Sequence, residues 1–127
     1  MKILKRMTRL KRSFSYAFEG VFYVWRTQPN MKIHSVMGTL AIILGFALHI
    51  SAAEWLALII VIGFVLILEV INTAVETLVD LYTEEYLTLA KHAKDTAAGA
   101  VLLMALVSVA VGCVIFVPKL AALFGII

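Results

Sequence analysis

Residues 1–32 combine basic residues with apolar residues at helical spacing, a pattern typical of an amphipathic helix. The apolar side chains recur at spacings of three and four residues, so they form one stripe along a helix. Eight of the eleven Lys and Arg residues lie within residues 1–32, between these apolar positions. A basic helix of this kind lies flat at a membrane surface, with its cations toward anionic headgroups. We therefore predict that residues 1–32 form an amphipathic interfacial helix.

Three long apolar segments follow this surface helix. They cover, in order, about residues 33–50, 54–81 and 90–117. Each is close to or longer than the roughly 20 helical residues needed to cross a bilayer. Pro29 predicts the break before the first segment, because proline lacks an amide hydrogen and holds the preceding residue in extended geometry. Ser51 is suited to cap the second segment, and Pro118 is expected to end the third.

Composition and charge agree with a chain that lives in lipid. Of its 127 residues, 63% are hydrophobic and only 15% are charged, which is less charge than a soluble domain carries. The predicted fold is therefore an all-α integral membrane protein, with one surface helix and a transmembrane domain of three helices over residues 33–127. We expect no nucleic-acid partner. The basic residues predict a cytoplasmic N-terminus, a cytoplasmic connection at residues 82–95 and an outer C-terminus.

Four polar residues share one narrow face of the second predicted span. Glu69, Asn72, Glu76 and Asp80 fall at about 0°, 300°, 340° and 20° around a helix. An ionisable residue at membrane depth costs about 2.5–3.5 kcal/mol, so it marks a functional site by default. The alternative is that these groups only form hydrogen bonds to neighbouring helices.

Glu69 and Glu76 are expected to have different roles. Seven residues separate them, a rise of about 10.5 Å, so one straight helix cannot bring both to a single ion. Glu76, nearer the cytoplasm, is placed to meet a metal carried by a soluble substrate. Glu69, deeper in the membrane, is placed to meet the polar end of a lipid, where a carboxylate can accept a hydroxyl proton.

A second polar cluster, residues 91–95, lies at the start of the third span and on the same side of the membrane. Lys91 opposes the dipole at this helix start, so it either binds phosphate or extends toward headgroups. Small residues at positions 96–100 allow close helix contact, and we expect identical chains to associate. Structural roles are expected for His34 and His49, and the sequence lacks the phosphate-loop and protein-kinase signatures.

The two polar clusters together resemble the signature of the small bacterial membrane lipid kinases. The segments EVINTAVETLVD (residues 69–80) and AKHAKD (residues 90–95) fit the pattern E-x2-N-x3-E-x3-D followed by A-K-x2-K-D. This family comprises the prokaryotic diacylglycerol kinases and undecaprenol kinases, and residues 94–101 and 116–120 look more like the undecaprenol kinases of Gram-positive bacteria. The resemblance implies a homotrimer in the bacterial plasma membrane, with active sites shared between chains.

The resemblance also implies roles for individual residues. Glu69 would be the proton acceptor, Asn72 would help to order the site, and Glu76 would bind Mg²⁺. Many members have a glutamate at the position of Gln28 as a second metal ligand, so a neutral amide there implies weaker metal binding. The residues that would contact ATP are Arg9, Tyr16, Gln28, Glu76, Glu85, Tyr86, Leu87, Lys94 and Asp95.

These inferences predict a kinase that transfers the γ-phosphate of ATP to the hydroxyl group of undecaprenol. Diacylglycerol is the alternative lipid substrate. A small proton-coupled transporter is the alternative from another class, because Glu69 alone would satisfy it. Such a transporter would not need Lys94 and Asp95 beside a cytoplasmic loop, and it would dissipate a proton gradient in vesicles.

Overall fold

The computed structural model describes residues 2–82 and 87–126, with side chains described from Arg6 onward in the first helix. This part of the chain forms four helices. They are α1 (Lys2–Thr27), α2 (Pro29–Ala47), α3 (Ala52–Tyr82) and α4 (Thr88–Leu123). The last three are long and apolar enough to cross a membrane. This arrangement confirms the predicted fold class of a surface helix followed by three transmembrane helices.

The break at Pro29 is narrower than the sequence predicts. Gln28 is the only residue between α1 and α2, and its backbone is extended, with φ −101° and ψ 115°. Helix α2 begins at Pro29 rather than at Ile33. Proline suits the first position of a helix, because its missing amide hydrogen would have no partner there in any case. The chain therefore turns from the surface helix into the membrane within one residue.

The turn between α2 and α3 is closed by two capping motifs. The amide of His49 donates to the carbonyl of Phe46 and the amide of Ile50 donates to that of Gly45, which is the Schellman pattern. Helix α2 thus ends at Ala47, before the predicted residue 50. Ser51 is the N-cap of α3, as the sequence predicts. Its hydroxyl accepts a hydrogen bond from the amide of Glu54, and the Glu54 carboxylate accepts one from the amide of Ser51.

The apolar core lies at the end of the bundle that this turn closes. Buried Ile50, Leu58, Ile115 and Phe116 pack together there and join α3 to α4. Helix α2 approaches the same region closely at Gly45, where an added Cβ would lie 2.9 Å from the Trp55 ring. Only glycine permits this approach without a shift of the indole. Packing therefore concentrates at the end opposite the polar stripe.

Pro118 does not end the third transmembrane helix, contrary to the sequence expectation. Helix α4 continues through it to Leu123. An interior proline removes one helical hydrogen bond and crowds the carbonyl four residues earlier, here that of Val114. Two contacts beyond the proline favour continuation: Leu120 packs on the apolar core, and Lys119 Nζ lies 3.2 Å from Glu54 Oε2 of α3. Transmembrane helices tolerate proline where such neighbours exist.

Large apolar side chains are exposed along all four helices, and their exposure fits contact with lipid. On α1 they include Leu10, Phe14, Phe18 and Phe22, which lie on the predicted apolar stripe. Among the α1 side chains that the structure describes, from Arg6 onward, Val24 is the only one that is buried. The chain is thus a multi-pass membrane protein with one helix left free to lie at the membrane surface.

The turn between α2 and α3 yields a first prediction, the stabilising substitution His49→Gly. His49 has a φ of +49°, the left-handed region. A side chain in this region costs about 1–2 kcal/mol of stability. Glycine adopts the conformation without strain, but it makes the unfolded chain more flexible, which lowers stability by about 0.4–1 kcal/mol. We expect a net gain and a higher melting temperature in detergent micelles.

Gly125 is the matched control, because it closes α4 in the same motif with a φ of +66°. Gly125→Ala should lower the melting temperature. A His49→Gly protein that melts at or below the wild-type temperature would show that His49 makes a stabilising contact.

Candidate active site

Glu69 lies at the centre of the buried polar group on α3. Its side chain is only 1% exposed, and neither carboxylate oxygen has a hydrogen-bond partner. Asn72 and Thr73 are the other buried polar residues in the described part of the chain. An unpartnered carboxylate in an apolar setting opposes folding. Glu69, which the sequence predicts to be the proton acceptor, therefore does not contribute to stability, and its presence indicates another role.

The hydroxyl of Thr73 is not available to Glu69. It donates to the backbone carbonyl of Glu69 at 2.9 Å, and that of Thr77 donates in the same way to the carbonyl of Thr73. Both hydroxyl groups thus donate their hydrogen bonds within their own helix. The carboxylate of Glu69 keeps both oxygens free to meet a ligand.

His34 on α2, for which the sequence predicts a structural role, is a neighbour of Glu69. It is half-buried and lies within electrostatic range of the Glu69 carboxylate. Its structural assignment from sequence missed this proximity. No spacing rule could have revealed it, because the two residues are on separate helices.

Glu76 is the point where three predicted site residues meet. Asn72 Nδ2 donates to Glu76 Oε1 at 3.1 Å, and Gln28 Nε2 donates to Glu76 Oε2 at 3.4 Å. The structure therefore brings together the two residues that sequence analysis gave as metal ligands. The side-chain oxygen of Asn72, Oδ1, is buried and accepts no hydrogen bond.

These atoms fit a magnesium ion that arrives with phosphates. Mg²⁺ prefers six oxygen ligands and is commonly held by one or two carboxylates together with waters and phosphates. The described residues hold no group of three or more His, Cys, Asp or Glu side chains able to bind a metal alone. One carboxylate, Glu76, and the amide oxygens of Asn72 and Gln28 suit a shared site, once each amide turns its oxygen inward.

Lys94 and Asp95 lie at the charged end of the stripe. Lys94 Nζ is 2.6 Å from Oδ1 of Asp80 on α3, while Asp95 pairs with Lys91 on its own helix at 2.5 Å. Asp80 is the last member of the polar stripe. The stripe and the second cluster, which the sequence separates by a loop, therefore meet through one ion pair.

The remaining predicted nucleotide contacts are not joined to this group. Arg9 and Tyr16 are exposed on α1, and no hydrogen bond or ion pair links either to the stripe in the described part of the chain. Leu87 is exposed just before α4. Glu85 and Tyr86 lie outside the described residues.

An apolar groove of about 510 Å³ runs between α2, α3 and α4 and comes within one helical turn of Glu69. His34 and Val65 line its start, and Val65 is one helical turn from Glu69. Ser108 is the other polar side chain of the lining, and its hydroxyl already donates to the carbonyl of Ala105. The groove suits a hydrocarbon chain whose polar end would reach the carboxylate.

Comparisons with known proteins agree with this arrangement. The model of the prokaryotic diacylglycerol kinase family matches residues 15–116. An undecaprenol kinase of Bacillus subtilis is 40% identical, over 90% of this chain and 93% of that protein. A diacylglycerol kinase of Synechocystis is 45% identical, over 87% of this chain and 64% of that protein. A diacylglycerol kinase of Escherichia coli is 30% identical, over 85% of this chain and 88% of that protein.

The unpartnered state of Glu69 yields a second prediction, that Glu69→Met stabilises the protein. Methionine has a similar length and no polar atom to desolvate, so the substitution should remove a penalty of roughly 1–3 kcal/mol. We expect a higher melting temperature in detergent. Glu19→Met is the control, because Glu19 is an exposed carboxylate on α1 that accepts a bond from Ser15; it should change little. A lower melting temperature for Glu69→Met would mean that the carboxylate has a stabilising partner.

Proposed function

The chain belongs to the prokaryotic diacylglycerol kinase family, and from this premise we propose that it transfers the γ-phosphate of ATP to the hydroxyl group of undecaprenol. The observation that carries the proposal is the buried, unpartnered carboxylate of Glu69 between an apolar groove and the Glu76 cluster. One neighbour suits the lipid and the other suits MgATP. The family supplies the reaction class, and the geometry supports a separate place for each reactant.

Undecaprenol fits the groove better than diacylglycerol. A polyprenol has one hydroxyl at the end of a hydrocarbon chain, whereas diacylglycerol also carries two ester groups. Ser108 in the groove has its hydroxyl engaged, so His34 is the one lining side chain able to donate to the two ester carbonyls. The Bacillus subtilis relative supports undecaprenol, and the Synechocystis relative keeps diacylglycerol as the second candidate.

In the proposed reaction, Glu69 accepts the proton of the lipid hydroxyl. The lipid oxygen then forms a bond to the γ-phosphorus, the bond from that phosphorus to the β-γ bridging oxygen breaks, and ADP leaves. Burial of Glu69 keeps water from competing with the lipid for the phosphoryl group. Phosphoryl transfer depends mainly on positioning and charge stabilisation, so few catalytic groups are sufficient.

Glu76, with the amide oxygens of Asn72 and Gln28, would hold Mg²⁺ in this site. When bound, the metal neutralises negative charge on the phosphates. Lys94 adds a second positive charge at the same end of the stripe, and the Asn72 amide lies against the Glu76 carboxylate in the structure. The nucleotide would thus lie above Glu69, on the cytoplasmic side that the basic residues indicate.

A homotrimer with shared sites accounts for the residues that one chain leaves apart. Arg9 and Tyr16 are exposed on α1 and make no contact with the stripe within the described chain. A neighbouring chain could place them at a nucleotide. The broad apolar exposure of α3 and α4 leaves surface for such association. A proton-coupled transporter, in contrast, leaves the Glu76 cluster without a role.

The base role of Glu69 is tested by Glu69→Gln. The amide cannot accept the hydroxyl proton, so we expect phosphorylation to fall by about 10²–10⁴-fold, the usual contribution of a general base. MgATP affinity should remain within a factor of two to three of wild type. Transfer of labelled phosphate from ATP to undecaprenol in mixed micelles measures the first quantity. Activity equal to that of wild type would remove Glu69 from the reaction.

The same assay with three lipids tests the substrate. Undecaprenol should be phosphorylated with a higher kcat/KM than diacylglycerol or monoacylglycerol. A preference for diacylglycerol would assign the second candidate, and proton flux in vesicles without phosphorylation of any lipid would favour a transporter.

Gln28→Glu should lower the Mg²⁺ concentration needed for half-maximal activity. Gln28 already contacts Glu76, so a second carboxylate there adds one charged oxygen ligand to the site. Magnesium titrations of the wild type, Gln28→Glu and Gln28→Ala provide the measurement, with Gln28→Ala expected to need more metal. Identical titrations for all three proteins would show that this side chain does not touch the metal.

A further inference from the structure

Asp80 holds Lys94 across the junction of two helices. Their ion pair joins the last turns of α3 to the second turn of α4, with Nζ 2.6 Å from Oδ1. Asp80 lies four residues after Glu76, about 6 Å further along the same face of α3. The ammonium group of Lys94 is thereby placed on the face that carries the Glu76 cluster.

This ion pair differs from the one beside it. Lys91 pairs with Asp95 within one turn of α4, so that contact does not connect the helix to the stripe. Among the described lysines of the second cluster, Lys94 is the one that pairs with a side chain of α3. A lysine has a long flexible chain, and only a fixed partner keeps its ammonium in one place. Asp80 is that partner.

Stability alone is a weak reason for the pair. The Lys94 and Asp80 side chains are 37% and 63% exposed, and ion pairs with that exposure to solvent add little to stability. The geometry leaves Lys94 able to do more. An ammonium group has three hydrogens, and the bond to Asp80 uses one of them, so two stay available to phosphate oxygens.

We propose that Asp80 is a positioning residue for the nucleotide: its carboxylate holds the ammonium group of Lys94 beside Glu76, where the phosphates of ATP bind. The inference rests on the proposed function, because it takes Lys94 as a nucleotide contact. Asp80 itself touches neither the nucleotide nor the lipid. Its effect therefore passes through Lys94, and a loss of Asp80 should have no consequence once Lys94 is absent.

A double-mutant cycle on nucleotide affinity tests this dependence. The full-length protein in detergent is titrated with a non-hydrolysable ATP analogue and Mg²⁺, for wild type, Asp80→Ala, Lys94→Ala and the double variant. Asp80→Ala should weaken binding about tenfold in the wild-type background and not at all in the Lys94→Ala background. Asp80→Glu should restore part of the affinity, since it keeps the carboxylate.

Two kinetic readouts separate positioning from a general defect. Asp80→Ala should raise the KM for ATP and leave the KM for undecaprenol unchanged. Melting temperatures of the variants should stay near the wild-type value, because the pair is exposed. Glu19→Ala removes an exposed carboxylate from α1 and should change neither KM.

Several results would overturn the inference. Unchanged affinity in Asp80→Ala would make the pair a simple link between helices, and tighter binding would make Asp80 a competitor of the nucleotide. An equal loss in the Lys94→Ala background would show that Asp80 acts independently of Lys94. If Lys94→Ala binds the analogue as tightly as wild type does, Lys94 is not a nucleotide contact and the inference fails with it. A wild type that binds no analogue would refute the proposed function itself.

Discussion

The arrangement of this protein depends on one unfavourable feature, a carboxylate with no partner inside an apolar helix bundle. Glu69 is almost completely buried, and both of its oxygens lack a hydrogen bond. An apolar residue at this position would make the protein more stable, because the surrounding side chains cannot compensate for the desolvation of the carboxylate. A ligand that brings a hydroxyl group would satisfy it. The site is therefore incomplete without a ligand, which suits the proposed role of Glu69 as a proton acceptor.

The neighbours of Glu69 are arranged so that this carboxylate stays free. Thr73 donates to the backbone, and Asn72 directs its amide hydrogens to Glu76. Gln28 reaches the same carboxylate from the start of α2. Glu76 is thus in contact with amides that can serve a metal, while Glu69 lies one helical turn from Val65, which lines the apolar groove. Two acidic residues on one helix face acquire different environments and can perform different chemistry.

The residues that stabilise the bundle and those of the proposed site are concentrated at opposite ends. At the end opposite the site, two capping motifs, the apolar core and the ion pair between Lys119 and Glu54 hold α2, α3 and α4 together. At the site end, Val24 and Met31 are also buried, but the contacts around Glu76 and Lys94 are single hydrogen bonds and an exposed ion pair that a bound nucleotide can rearrange. The contacts at the distal end fix the helices from which the site residues project.

The sequence by itself determined the features that depend on local periodicity. The stripe of Glu69, Asn72 and Glu76, the amphipathic surface helix and the break at Pro29 follow from helical geometry and from proline chemistry, and the structure agrees with each. Only the tertiary structure decided which helices meet. Contact between residues far apart in the chain depends on how whole helices pack, which no local pattern encodes; the continuation of α4 through Pro118 and the proximity of His34 to Glu69 both arise in this way.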